Sequence, residues 1–169
     1  MAYQFLLYLR LLEANQNSAI LLVPLLAFAE ACVGIGLFIS GAFLVIVSSI
    51  LFFTELASLP LICALAMLGA TAGDHVGFYV GYFLGPRFNR SKFAERHHAA
   101  IARANAMITK YGPLTIFIGR FVPAIRSMLP AMMGISVFSR RLYSILDIMA
   151  CGLWAVALGA IVYFLGDAL

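Results

Sequence analysis

The sequence predicts an all-α integral membrane protein in which two re-entrant helical hairpins are each followed by a long transmembrane helix, in the manner of an inverted repeat. Composition is the first reason: 64% of the 169 residues are hydrophobic and 11% charged, and the mean hydropathy is +1.03, far above a soluble globular domain. The second is length, since two stretches, Leu59–Gly85 and Leu142–Gly166, are long enough to cross a bilayer. The third is pairing. The remaining apolar stretches are too short to span comfortably and flank breaks rich in glycine or proline.

The whole chain reads as one membrane domain, with no Pro/Ser-rich linker and no room for a separate soluble domain. Residues 1–14 lack the basic start and small-residue cleavage site of a signal peptide, and Leu6, Tyr8, Leu9 and Leu12 suit a helix lying in the interface. The first hairpin covers 19–54, with Ala19–Ala31 and Ala42–Phe53 on either side of the break at Gly34, Gly36, Ser40 and Gly41. A spanning helix over 59–85 follows. It carries Gly73, Gly77, Gly81 and Gly85 four residues apart, so one face offers no side chains and a neighbour can approach to backbone contact. Close packing within the bundle is the expectation for this stripe, with a homo-oligomer as the alternative.

Residues 87–111 form a basic loop in which Phe93, His97, Ile101, Ala104, Ile108 and Tyr111 recur at helical spacing, with Arg96, Arg103 and Lys110 on another face. That pattern predicts an amphipathic helix on anionic lipid headgroups. The second hairpin covers 113–138, with Leu114–Ile118 and Ala131–Phe138 flanking its break, and the last span covers 142–166. A re-entrant second hairpin places Arg87, Arg90, Lys92, Arg96, Arg103, Lys110, Arg140 and Arg141 on one side, as the positive-inside rule prefers. The basic loop is therefore expected in the cytoplasm, with the termini on the opposite face of the inner membrane. Two thin spans would give the same sidedness; the shortness of the segments favours re-entrance.

The segment Gly119-Arg120-Phe121-Val122-Pro123-Ala124-Ile125-Arg126-Ser127-Met128-Leu129-Pro130 carries the functional expectation. An arginine in hydrocarbon costs roughly 3 kcal/mol or more, so Arg120 and Arg126 need a purpose. Pro123 and Pro130 interrupt any smooth helix there. A broken element that presents both arginines to a protected polar cavity follows, and Asp74 and His75 adjoin the glycine stripe of the first span. Cys32, Cys63 and Cys151 read as buried free thiols, and His97-His98 as a solvated pair without metal-ligand spacing. Neither metal nor cofactor is expected. No nucleic-acid module is visible, and the histidine nucleophile of a membrane phosphatase is missing beside the arginines, so an enzyme is not expected.

These residues resemble the DedA family, the bacterial relatives of VTT-domain lipid scramblases. Tyr111-Gly112-Pro113, Phe117-Ile118-Gly119-Arg120-Phe121-Val122-Pro123, Arg126-Ser127, Pro130 and Gly134 match that family's F-x-G-R-F-x-P-x-x-R-[ST]-x-x-P-x-x-x-G signature. Glu30 resembles its first-hairpin acid, Gly73-Asp74 with Gly77, Tyr82 and Gly85 its following span, and Gly152 with Trp154 its last. The likeness covers residues 20–166. It implies two facing hairpins and transport of a lipid phosphate such as undecaprenyl phosphate, with Arg120, Arg126 and Glu30 binding it and Asp74 and Asp147 as secondary residues of the polar path. Where the family often carries Pro-Gly-Asp or Pro-Gly-Glu, this chain has Ser40-Gly41-Ala42, without the second acidic group; Asp147 supplies negative charge where relatives often have Asn. Two other classes use the same residues differently: a proton-coupled cation antiporter or osmotic-stress transporter with Glu30 as proton carrier, and a membrane scaffold assembled through the glycine stripe.

Overall fold

The computed structural model describes residues 16–37, 41–85, 87, 92–96, 98–136 and 138–167. The helix expected over 1–14 lies outside them, as do Ser40, Arg90 and His97. The described regular elements are all helical: α1 (Gln16–Ala31), α2 (Gly41–Phe53), α3 (Leu59–Leu84), α4 (Lys92–Arg96), α5 (His98–Tyr111), α6 (Thr115–Arg120), α7 (Pro123–Arg126), α8 (Leu129–Ile135) and α9 (Arg140–Asp167). At 1.5 Å per residue the 26 residues of α3 and 28 of α9 run about 39 and 42 Å, beyond the roughly 30 Å of a hydrocarbon core. The 16 and 13 residues of α1 and α2 reach only about 24 and 20 Å.

The breaks lie where backbone chemistry puts them. After α1 the chain turns through Gly34, whose φ of 88° favours glycine, into a short 3-10 turn at Ile35–Leu37. In the second hairpin Val122 is extended (φ −104°, ψ 100°), as a residue before proline must be, and Pro123 opens α7. Pro130 lies in the first turn of α8, where its missing N–H costs no helical bond.

Helix α3 is the spine. A Cβ at Gly69 would land on the Pro24 carbonyl of α1, and one at Gly73 would lie 2.6 Å from the Phe28 carbonyl and 2.8 Å from Ala31 Cβ. At Gly81 it would land on the Ala131 carbonyl of α8, whose own Gly134 faces Phe78 and Tyr82 of α3. Thus α1 packs along the first half of α3 and α8 along the second, both at backbone contact. They meet at Gly77, where a Cβ would lie 2.8 Å from Val33 Cγ2 and 3.3 Å from Pro130 Cβ. The hairpin tips also touch, since a Cβ at Gly36 would come 2.9 Å from Ser127 Cβ. The stripe is filled within the bundle. Gly85 departs from the expectation: nothing lies within 4 Å of its Cβ position, and its φ of 48° makes it the residue that ends α3, its N–H donating to the Gly81 carbonyl.

The apolar face of α5 also turns inward. Ile101 is buried and Ile108 half-buried in a core with Phe78, Ile116, Met132, Met133 and Tyr143, and the Thr115 hydroxyl donates to the Met107 carbonyl at 2.8 Å, tying α5 to α6. That face therefore packs on the second hairpin, while Arg96, Arg103 and Lys110 remain exposed.

Outside, the pattern is that of a protein in oil. Leu68, Phe83, Val156 and Phe164 are 64–76% exposed, whereas Glu30, Asp74, Arg120, Arg126 and Asp147 are all below 10%. The charge is inside and the hydrocarbon outside.

Two glycine substitutions separate the roles on α3. Gly81→Ala drives a Cβ into backbone that has no flexible end to yield, so thermal stability in detergent is expected to fall by several kcal/mol, with loss of monodisperse protein. Gly85→Ala meets open space and costs only the backbone conformation, φ 48° with ψ −136°, about 1–3 kcal/mol. Equal losses would overturn this assignment.

Candidate functional site

The hairpin tips and the two long helices bring the charged residues together. Glu30 lies on the last turn of α1, and its Oε1 is 2.7 Å from where a Cβ of Gly41 would be, so its carboxylate sits at the start of α2. The absence of a side chain at Gly41 is what admits it. Negative charge at a helix N-terminus is favourable. Asp74 follows Gly73 on the packed face of α3, and Arg120 and Arg126 end α6 and α7. Tyr143, Asp147, Cys151 and Trp154 recur at i, i+4, i+8 and i+11, one face of α9.

Each arginine has a carboxylate partner. Nη1 of Arg126 donates to Oε1 of Glu30, and Nη1 of Arg120 donates to Oδ2 of Asp74, with Oδ1 of Asp147 at 3.6 Å. Trp154 lies beside both guanidinium groups, its ring centre 4.7 Å from Cζ of Arg126 and 5.6 Å from that of Arg120. An indole face so placed stabilises a desolvated cation by about 2 kcal/mol. Only one nitrogen of each fork is engaged. Nε and Nη2 of both arginines, Oε2 of Glu30 and the Ser127 hydroxyl are buried without a hydrogen-bond partner in the protein.

A second layer surrounds Asp147. Nδ1 of His75 lies 2.9 Å from the Thr71 carbonyl and 3.3 Å from Oδ2 of Asp147, and Nε2 lies 2.9 Å from Oγ of Ser144. The carbonyl can only accept, so Nδ1 carries hydrogen and donates. Cys151 Sγ is 3.8 Å from both Asp74 and Asp147, and Tyr143, stacked on Phe78 at 4.1 Å, closes the floor. Asp74, Asp147 and Cys151 offer atoms within 4.8 Å of one another. The guanidinium of Arg120, bonded to Asp74 and facing Asp147, supplies there the positive charge that such a trio would otherwise take from a metal ion.

Every residue named for the binding site and polar path, Glu30, Asp74, Arg120, Arg126 and Asp147, falls in this one cluster. Sequence reasoning underused Trp154, read only as part of the last span, and His75. The i, i+4, i+7 spacing of Asp147, Cys151 and Trp154 was the available signal for the former.

Two short hairpins folded against two long apolar helices, with ion pairs buried where the tips meet, define a helical membrane protein whose interior is built to hold charge. The VTT domain family model matches residues 17–164. The chain belongs to that family, and its relatives place it among the DedA proteins. It is 26% identical over 147 residues to Protein DedA of Escherichia coli (strain K12), covering 84% of this chain and 66% of that one. It is 33% identical over 101 residues to an uncharacterized membrane protein of Mycobacterium leprae (58% of this chain, 45% of that one), and 30% identical over 97 residues to an inner membrane protein of Borreliella burgdorferi (57% and 44%). The chain thus spans less than half the length of the mycobacterial relative. No solved structure matches.

The ion pairs can be tested by paired removal. Arg126→Ala or Glu30→Gln alone leaves a buried group unmatched, and Arg126→Ala in particular strands a carboxylate, at a cost of about 3–5 kcal/mol. The double variant is expected to recover a large part of that loss in a thermal-stability cycle. Strict additivity would show that the two side chains do not depend on one another.

Proposed function

We propose that this protein moves a phosphate-headed lipid of the undecaprenyl phosphate kind across the bilayer, and that Arg120 and Arg126 receive the phosphate. The observation that carries this reading is the pair of buried guanidinium groups with four unused N–H-bearing nitrogens, Nε and Nη2 of each, side by side on Trp154. Guanidinium remains charged at any physiological pH, and its planar fork matches phosphate oxygens. Glu30 and Asp74 hold the two cations when no anion is bound, since an unmatched buried charge is costly.

The cavity between Arg120, Arg126, Asp74 and Asp147 has a volume of about 10 Å³, room for roughly one water molecule. A phosphate group enters only as the elements around this cavity separate. In this reading both hairpins are re-entrant, their tips facing near the midplane. The tips part toward one side or the other around a fixed arginine pair, and the spine α3 keeps its grip on α1 and α8. The reaction is transport without covalent chemistry.

A second reading, proton- or cation-coupled exchange, draws on one feature: three buried carboxylates, Glu30, Asp74 and Asp147, accompany two buried arginines among the described residues. Ion flux in liposomes free of polyprenyl phosphate would favour it. The scaffold reading loses its support, because Gly73, Gly77 and Gly81 already face α1 and α8 inside the chain.

Binding of a phosphorylated polyprenol, compared with the same polyprenol lacking phosphate, tests the proposal on variants first shown to be monodisperse. Ala at Arg120 or Arg126 is expected to weaken phosphate-lipid binding by about 30-fold to nearly a thousandfold, the equivalent of about 2–4 kcal/mol, while Lys keeps part of it. Equal binding of both lipids by the wild type would leave the arginines as structural clamps. Sidedness has its own test. In a variant lacking the native cysteines, Ser91→Cys is expected to react only from the cytoplasm and Asp167→Cys only from outside; reaction of both from one side would refute the topology.

A further inference from the structure

The space between the arginines is only about 10 Å³, yet one route from the lipid to them is short. The outward face of α3 carries a shallow, open apolar groove formed by Ala72, Val76, Tyr79, Val80, Phe83 and Leu84 of that helix alone, with His75 along its edge. His75 is the residue shared by the groove and the buried cluster. Its side chain is 25% exposed, yet it lies 3.3 Å from Asp147, whose other oxygen is 3.6 Å from Arg120. One imidazole and one carboxylate separate the groove from a guanidinium. The same imidazole bonds Ser144, so it also ties α3 to α9 across the mouth.

We propose that the lipid reaches the arginines sideways, between α3 and α9: its hydrocarbon chain lies in the groove of Ala72, Val76, Tyr79, Val80 and Phe83, and His75 is the door between that groove and Arg120. This rests on the lipid-phosphate reading above and names the path and tail site that reading leaves open.

Three features commit the groove to a lipid with an anionic head. Its lining is almost wholly apolar, so what it accepts along its length is hydrocarbon. Beside Phe83, on the neighbouring face of α3, Tyr82 stacks under the Arg140 guanidinium at 5.1 Å, and exposed Arg141 is next in sequence. An aromatic ring with basic residues is the composition that holds lipid heads at an interface. Finally, a polar, partly exposed His75 is costly at membrane depth unless it serves a polar path. Tyr79 and Phe83 continue from it as a ring ladder with centroids 6.5 and 6.2 Å apart, directing a tail along the helix. The outward face of α9, with Ile145, Met149, Leu153 and Val156, is as apolar and as exposed, but those residues make no link to the charged cluster. It serves as the internal control.

The experiment uses proteoliposomes with a phosphate-headed polyprenol bearing a photoreactive group in its tail, and the matching alcohol. Binding of both lipids by the wild type is measured in parallel. The phosphate lipid is expected to label residues 72–84 several-fold more than the alcohol does, while the α9 face 145–156 labels alike with both. Ala72→Phe, at an exposed position where the extra ring fills the groove, is expected to lower that labelling and transport by about tenfold with thermal stability unchanged. Phosphate-dependent binding combined with equal labelling of α3 and α9, or with no effect of Ala72→Phe, would overturn the lateral path and leave the phosphate site standing. Equal binding of the two lipids would overturn both.

Discussion

The interaction on which the structure depends is the neutralisation of two buried arginines by carboxylates drawn from three different elements. Arg126 takes Glu30 from the end of α1, and Arg120 takes Asp74 from α3 with Asp147 of α9 behind it. A guanidinium so enclosed cannot shed its charge, so the backbone must deliver an acid to it. Both broken hairpins and both long helices are committed to that point. This accounts for the interruptions at Gly34, Pro123 and Pro130, which bring the charged residues to one place. The prolines and glycines that shorten the hairpins stop their helices at the depth where the charges meet.

Close approach makes the meeting feasible. Polar side chains of ordinary length reach one another only because α1 and α8 lie on α3 at backbone contact, with glycines at 69, 73, 77 and 81 providing the track. In lipid there is little hydrophobic drive to join helices, and small residues that allow dense van der Waals contact take its place. Asp74 directly follows one of these glycines. The acid is thus placed at the seam itself, between the elements that carry Glu30 and the arginines. Trp154, arriving from α9, completes the enclosure with a π face that needs no hydrogen-bond partner of its own kind there.

Much of this was legible in the chain. Hydropathy and length revealed the two long helices to within two or three residues, and the rule that charge in oil needs a reason singled out Arg120 and Arg126; Asp74 stood out beside the glycine stripe, and Glu30 and Asp147 through the likeness to the DedA family. The pairing of particular acids with particular arginines was not legible, because it depends on how the hairpin tips pack on α3 and α9, a long-range arrangement with no local sequence signal. The roles of Gly85 and α5 misled for a related reason. A four-residue spacing and an amphipathic stripe report which face is different, not what covers it: Gly85 proves to be a helix end, and Ile101 and Ile108 of α5 face the second hairpin. His75 was ambiguous since its meaning comes from being both exposed and bonded to Asp147, a combination visible only in three dimensions.

The charge balance constrains how an anion could be taken up. Phosphate would bring negative charge to a cluster in which three carboxylates already accompany two guanidinium groups, so binding requires that a carboxylate withdraw or accept a proton. The pairs are not equivalent in this respect. Asp74 and Asp147 share Arg120, lie on the two long helices and are 1% exposed, so displacing one leaves it beside the other. Glu30 has the single partner Arg126, keeps one oxygen unpaired, is 7% exposed and sits where α1 ends at the hairpin tip. Movement of that tip alone separates Glu30 from Arg126 without unpacking α3. In the proposed uptake the Glu30–Arg126 pair is therefore the one that gives up its acid, while Asp74 and Asp147 stay with Arg120.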